Sequence, residues 1–271
     1  MKTRYLVTGA SGQLGSQLIR ILEEEAVFTD LPEVDITDPD SVYRAVKTYD
    51  PRWIINCAAV TDVDQCERDP GMAMKVHRDG PAILAGTGRR LLTISTDHVF
   101  TGDSEMTEPF TEEAETCPAN VYGKSKLAGE RAVLKEGSGN IVVRTSWLFS
   151  RGRGLIPRLW RQLTEEGMTR AVRDQRACFT YAPDLARSIL RLIRKDRSGI
   201  YHIVNSPGMT PREMASGLSE HAGGRVEPVE WTDLNLDAPR PVYSVLGCRR
   251  SLAMPDIWNA LKRWRNANEL D

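Results

Sequence analysis

Three glycines, Gly9, Gly12 and Gly15, lie in the segment Thr8-Gly9-Ala10-Ser11-Gly12-Gln13-Leu14-Gly15. The apolar run Tyr5-Leu6-Val7-Thr8 comes directly before it, and Leu14, Leu18, Ile21 and Leu22 then recur at helical spacing. A strand, a glycine turn and a helix in immediate succession constrain the chain more than any other feature. The first glycine permits the tight turn, the second lets a pyrophosphate approach the backbone, and the third lets helix and sheet pack closely. The new helix also offers its unpaired N–H groups to an anion. The segment therefore predicts a dinucleotide site contacted by Gly9, Ser11, Gly12, Gln13 and Leu14. A second strand-like run, Ala26-Val27-Phe28-Thr29, ends at Asp30, where a carboxylate can bind the adenosine ribose hydroxyls. With Leu31 rather than an arginine after it, Asp30 argues against a 2′-phosphate and for NADH. Asp35-Ile36 is placed either to border the adenine or to cap the next helix.

The same alternation continues downstream. Pro39-Asp40-Ser41-Val42 opens a helix with Val42, Ala45 and Val46 on its apolar side, and Trp53 to Cys57, Leu91 to Ser95 and Ile141 to Arg144 read as further strands. Short apolar strands alternating with helices predict a doubly wound parallel sheet, an α/β Rossmann domain over residues 1–149. After Phe149 the pattern becomes irregular. Helices are expected at Ile156 to Glu166, Pro183 to Lys195, Pro211 to His221 and Asp256 to Asn266. Gly199 to Val204 is expected to rejoin the sheet, and the rest of 150–271 forms a smaller substrate-binding lobe.

Composition removes several functional classes. Lys+Arg at 36 against Asp+Glu at 37 gives a net charge of −1, which argues against a general nucleic-acid binder. No apolar run approaches the roughly 20 residues that span a bilayer. Met1-Lys2-Thr3-Arg4 lacks the apolar core of a secretion signal, so a soluble, cytoplasmic protein is expected. Five cysteines without a C-x-x-C pair and four scattered histidines give no ligand spacing for a metal.

Tyr122 and Lys126 stand four residues apart in Val121-Tyr122-Gly123-Lys124-Ser125-Lys126, so on a helix both side chains point the same way. An ammonium beside a phenol is expected to lower its pKa and let it exchange a proton with an alcohol or carbonyl. The preceding strand ends in Ile94-Ser95-Thr96-Asp97-His98, at the crevice where such sheets bind ligands. Thr96 or Ser95 is placed to hydrogen-bond the reacting oxygen beside Tyr122. These pieces predict a reductase: hydride to a ketone carbon and a proton from tyrosine to its oxygen.

At this point the chain resembles an extended short-chain dehydrogenase/reductase, and more narrowly the dTDP-4-dehydrorhamnose reductase family. The resemblance runs nearly end to end, through Val7 to Gly15, Asp35 to Pro39, Asn56 to Asp64, Ser95 to Gly102, Val121 to Glu130, Arg144 to Trp147, Asp174-Gln175, Asp184 to Ala186, Gly199 to His202 and Arg240-Pro241. It implies Thr96, Tyr122 and Lys126 as the catalytic trio, Asp97 and Trp147 beside a sugar, and Ala58 and Ala59 beside the cofactor. It also implies reduction of a 4-keto group on a 6-deoxyhexose, usually dTDP-linked, often with NADPH and sometimes with NADH. Biosynthetic reduction favours NADPH against the Asp30 argument, leaving both open with a slight lean to NADPH. The partner is a small keto-sugar. Dimerisation is common in the superfamily, so a homodimer is admitted, with no motif of this chain supporting it.

The departures concern the substrate. His98 stands where the family usually has tyrosine, and is a candidate for hydrogen-bonding the sugar or shuttling a proton. Asp174 to Thr180 lacks the family's glycine and proline, and Val76-His77-Arg78 replaces Val-Asn-Ala. Arginines in the lobe (Arg151, Arg153, Arg158, Arg161) would suit a diphosphate. Three other readings compete: the same reduction on a keto-aminosugar of aminoglycoside antibiotic biosynthesis, a non-catalytic NADP-binding regulatory subunit, and an epimerase or dehydratase of the same superfamily. The intact trio argues against the regulatory subunit, and the lack of a second acid beside Asp97 against a dehydratase.

Overall fold

The computed structural model describes residues 4–137, 139–250 and 254–269, with 268 and 269 described by backbone only. Met1-Lys2-Thr3, on which the reading of a chain without a leader rested, lies outside the described residues. Strands β1 (Tyr5–Thr8), β2 (Ala26–Thr29), β3 (Trp53–Asn56), β4 (Arg90–Thr96) and β5 (Ile141–Thr145) alternate with helices α1 (Gly15–Leu22), α2 (Pro39–Tyr49), α3 (Val63–Arg68), α4 (Pro70–Met74), α5 (Gly80–Gly86) and α6 (Val121–Glu136). Then come β6 (Leu148–Phe149), α7 (Leu155–Glu165), β7 (Met168–Val172), β8 (Thr180–Tyr181), α8 (Ala182–Arg194), β9 (Gly199–His202), α9 (Pro211–Ala222), β10 (Arg225–Val229) and α10 (Ile257–Glu269).

The main sheet has the order β2-β1-β3-β4-β5-β9, and every pairing in it is parallel. Side-chain alternation along the strands divides its apolar residues between two faces. Tyr5, Val7, Trp53, Ile55, Leu92 and Val143 pack with Leu14 and Leu18 of the α1 segment and Leu185, Ile189 and Ile193 of α8. Leu6, Ile54, Leu91 and Val142 pack with Val42 and Val46 of α2, Leu84 of α5 and Val133 of α6. At roughly 1.5–3 kcal/mol per fully buried side chain, these contacts cover both faces and account for near-continuous apolar strands.

A second apolar cluster joins Ile156, Leu159 and Leu163 of α7 with Met214 and Leu218 of α9 and Ile257, Leu261 and Trp264 of α10. Two small parallel pairs, β10-β7 and β6-β8, accompany it. The α9 helix begins in a capping box, with Thr210 and Glu213 satisfying each other's amides. No helix among the described residues is long and apolar enough to cross a membrane.

Candidate functional site

Because β1 is flanked by β2 on one side and β3 on the other, the chain changes winding direction between β1 and β3. A crevice opens there beyond the strand ends. Gly9 turns the chain at φ +68°, and a Cβ on it would lie 2.5 Å from the Ala58 backbone nitrogen. The loop after β1 and the loop after β3 therefore touch backbone to backbone. Gly12, Gln13 and Leu14 on one side, and Ala58 and Ala59 on the other, line a cavity of about 750 Å³. Ser11 turns instead to Asp30: its amide donates to Asp30 Oδ2 at 2.9 Å and its hydroxyl at 2.5 Å. Burial works to raise the Asp30 pKa, but these two bonds and the Leu31 amide outweigh it and hold the carboxyl below its usual value. Asp30 thus sits on the glycine loop as an anion. Asp35 neither lines the cavity nor caps α2; its Oδ1 accepts from Thr37 N–H and Oγ1–H at 2.8 Å, while Asp38 caps the helix. Ile36 is buried in the core against Val42 and Leu84, where its apolar side chain belongs.

Helix α6 carries the second half of the site. Asn120 caps it, Oδ1 accepting from Gly123 N–H at 2.8 Å. One turn apart on α6, Tyr122 and Lys126 both face the cavity together with Thr96 and Asp97. The expectation that Lys126 lowers the Tyr122 pKa is not met. Burial dominates, Asp97 pushes the same way, and a Thr96 hydrogen bond only partly offsets them, so the phenol is pushed well above its usual value. Burial brings the Lys126 ammonium down to about 8, against the pull of Glu130. Tyr122 is therefore a fully protonated donor and Lys126 a cation at neutral pH. Asp97 is fixed by Ser244, whose hydroxyl donates to Oδ2 at 2.6 Å, and by Thr96 at 3.1 Å. Ser95 is not free for a reacting oxygen: its hydroxyl donates to Glu130 Oε1 at 2.5 Å.

His98 is held in one tautomer. With Asn120 Oδ1 accepting from Gly123, the Asn120 amide nitrogen has two hydrogens to give, one to Pro239 O at 2.8 Å and one to His98 Nδ1 at 3.0 Å. Nδ1 is then the acceptor and Nε2 carries the proton, in a ring that lines the cavity and that burial keeps neutral. Trp147 also lines the cavity, with φ +28°, a strained backbone for a bulky residue. Its ring packs edge-on against Phe179. Of the four lobe arginines considered above, only Arg153 reaches the cavity, donating to Ser11 O at 2.8 Å. Sequence reasoning missed Gln175, Arg240 and Ser244 as lining residues. Arg240 is tied to Asp64 at 2.8 Å; its signal was the Arg240-Pro241 pair, which carried no chemistry by itself. Ser146 Oγ and Gln175 Nε2 line the cavity as buried atoms without a protein partner. Among the described residues, no group of three or more His, Cys, Asp or Glu side chains could hold a metal ion.

Comparison with known proteins places this geometry in context. Residues 3–269 match the family model described as RmlD substrate binding domain. A dTDP-4-dehydrorhamnose reductase of Streptomyces griseus is 37% identical over 98% of this chain and 92% of its own length. A probable dTDP-4,6-dihydroxy-2-methyloxan-3-one 4-ketoreductase of Streptomyces antibioticus is 35% identical over 97% and 92%. The crystal structure of a Bacillus anthracis dTDP-4-dehydrorhamnose reductase in complex with NADP superposes with a TM-score of 0.92, at 33% identity over 98% of this chain and 100% of that one.

Proposed function

This chain belongs to the RmlD substrate binding domain family of extended short-chain dehydrogenases/reductases, and from that premise we propose that it is an NAD(P)H-dependent ketoreductase acting on the 4-keto group of a dTDP-linked 6-deoxyhexose. One observation carries the reading. A single cavity has the glycine-loop residues Gly12 to Leu14 on one wall and Thr96, Tyr122 and Lys126 on another.

The residues fit a dinucleotide. Gly12 has only the Gly9 carbonyl oxygen, at 3.2 Å, within reach of a Cβ, so the loop leaves its backbone open to a phosphate. Gly9, Ser11, Gly12, Gln13 and Leu14 would hold the pyrophosphate, Asp30 the adenosine ribose, and Ala58 and Ala59 the opposite wall; Asp35 and Ile36 would act only from behind. NADPH and NADH both remain in scope, and the NADP-bound relative supports the lean to NADPH. When bound, the reduced nicotinamide supplies a hydride to the ketone carbon.

The chain's own residues do the rest. Tyr122 gives its phenolic proton to the ketone oxygen, and Thr96 orients that oxygen by turning its hydroxyl from Asp97, its partner at 3.1 Å, to the substrate. Lys126 contributes positive charge beside developing oxyanion character. Asp97, His98 and Trp147 border the sugar, with His98 Nε2–H as a donor to a sugar oxygen. Ser146 Oγ and Gln175 Nε2 offer two more unpaired polar atoms. The substrate lobe expected over 150–271 is narrowed by α8 and β9, which cover and extend the main sheet; the rest of that span is assigned to the lobe. Lys126, Arg153 and Arg240 face the cavity against Asp97, the one lining acid among the described residues, which supports an anionic nucleotide sugar over a cationic aminosugar. Dependence on a reduced nicotinamide cofactor supports a cytoplasmic location.

The test is NADPH and NADH oxidation at 340 nm with dTDP-4-keto-6-deoxyglucose and a 3,5-epimerase. Turnover is expected, and Tyr122→Phe should lower kcat about 10²–10⁴-fold with cofactor binding intact. Turnover of a 4-keto aminoglycoside alone would reassign the substrate, and binding of NADPH without reduction of either ketone would point to a regulatory subunit.

A further inference from the structure

His77 has so far been given no role, yet its imidazole is 2% exposed beside the catalytic helix. It lies on the π-helical turn Lys75–Asp79 between α4 and α5, a kind of irregularity that recurs at functional sites. Its hydrogen bonds have fixed directions. The Val60 amide can only donate, and it donates to Nε2 at 3.1 Å, so in the neutral ring the proton is on Nδ1. Nδ1 lies 2.9 Å from Ser125 Oγ, and the Ser125 hydroxyl donates onward to the Tyr122 carbonyl oxygen at 2.9 Å. The His77 ring also stands edge-on to the Tyr122 ring, centroids 5.5 Å apart. A Cβ at Gly129 would collide with the His77 carbonyl oxygen, so α6 packs directly on this turn. Burial and the nearby Lys126 bring the ring's pKa down to about 3, which keeps these donor and acceptor roles unchanged across the working pH range.

Val60 directly follows Ala58 and Ala59 on the cavity wall. We propose that His77 is a positioning residue for the reduction, locking the wall after β3 to the proton donor Tyr122 through the relay Val60 N–H, imidazole and Ser125 hydroxyl. This rests on Tyr122 being the proton donor. Hydride and proton must reach neighbouring atoms of one carbonyl group, so the distance between that wall and the phenol has to be held. A misplacement of about 1 Å costs on the order of 10²-fold. An asparagine side chain also combines an acceptor oxygen with N–H donors, so it offers both bonding roles of the relay; leucine offers neither.

The experiment uses the full chain with NADPH and the dTDP-4-keto sugar. His77→Leu is expected to lower kcat about 10–100-fold, leave the NADPH Kd from protein fluorescence within about threefold, and raise the solvent deuterium isotope effect as proton delivery becomes limiting. His77→Asn is expected to recover kcat to within about threefold and return the isotope effect to the unsubstituted value. Ser125→Ala, which keeps the ring, should raise the isotope effect in the same direction. The proposal is overturned if His77→Leu loses activity only in proportion to its NADPH-binding fraction, with the isotope effect unchanged. Should His77→Leu fail to fold, an unchanged isotope effect in Ser125→Ala overturns it equally. Tyr122→Phe is run alongside: full activity there refutes the assignment of Tyr122, whereas an inactive Tyr122→Phe with an unaltered His77→Leu refutes only the role of His77.

Discussion

Glu130 is the residue whose replacement should show most directly that the site and the core beneath it are one electrostatic unit. Its carboxylate is 2% exposed and meets Arg144, 3% exposed, through Nε at 3.0 and 3.2 Å and Nη2 at 2.7 Å. Ser95 adds a fourth contact. Glu130→Gln keeps the shape and one acceptor oxygen but leaves the Arg144 cation buried opposite a neutral amide. Removing one partner of such a pair costs about 3–5 kcal/mol, and the retained acceptor places this case near 3. For a chain of this size each kcal/mol moves Tm by about 2–4 °C, so a fall of about 6–12 °C is expected. The second effect reaches the cavity. Glu130 lies one turn beyond Lys126 and raises its pKa against burial, which leaves it at about 8. A lysine is charged below its pKa, so a reaction needing the ammonium declines as pH rises through about 8. Without the carboxylate that decline should begin at lower pH. Thermal unfolding by circular dichroism and a pH profile of kcat/KM with saturating NADPH read the two effects separately. A lowered Tm with the alkaline limb unmoved, or moved upward, would refute the claim that Glu130 supports the Lys126 charge. An unchanged Tm would refute the claim that the buried pair matters to folding.

Two further substitutions probe opposite ends of the cavity. Asp30→Asn removes the anion held on the glycine loop by Ser11 and should raise the kcat/KM ratio of NADPH to NADH by about tenfold, equivalent to about 1.4 kcal/mol; a fall in that ratio refutes the placement of Asp30 beside the adenosine ribose. His98→Phe keeps an aromatic edge against Tyr122 but deletes the Nε2 donor, and should lower kcat/KM for the keto-sugar about 5–150-fold, from the roughly 1–3 kcal/mol of an unmade hydrogen bond. Equal kcat/KM values for the two proteins would mean that no sugar oxygen is bonded there.

Residues whose placement is set by local geometry were legible in the sequence. Gly9 to Gly15 could be read because a strand, a turn and a helix N-terminus follow one another without interruption. Tyr122 and Lys126 could be read because four residues on a helix fix a shared direction. Alternation along β4 could also have separated Ser95, on the α6 face with Leu91, from Thr96, which turns the other way. Contacts made across the fold could not be read. Ser244 reaches Asp97 from 147 positions away, Arg240 meets Asp64 from 176 positions away, and the bond of His77 to Ser125 spans 48. The pKa of Tyr122 was misjudged for the same reason. The motif displayed the ammonium, but burial and the Asp97 charge arise only when β4, α6 and the 239–244 segment come together.

That reversal bears on the order of events in the proposed reduction. A tyrosine lowered toward neutrality could accept a proton from an alcohol as readily as give one to a ketone. A phenol pushed well above its usual value by burial and Asp97 stays protonated at neutral pH. It surrenders that proton only to a strongly basic oxygen, such as one gaining alkoxide character as hydride reaches the adjacent carbon. Lys126, at about 8, still carries a positive charge at neutral pH, which on the same proposal stabilises that oxygen. On the proposed mechanism the proton is withheld until hydride begins to reach the carbonyl carbon and is then released to the oxygen, so transfer from Tyr122 follows the charge developing there.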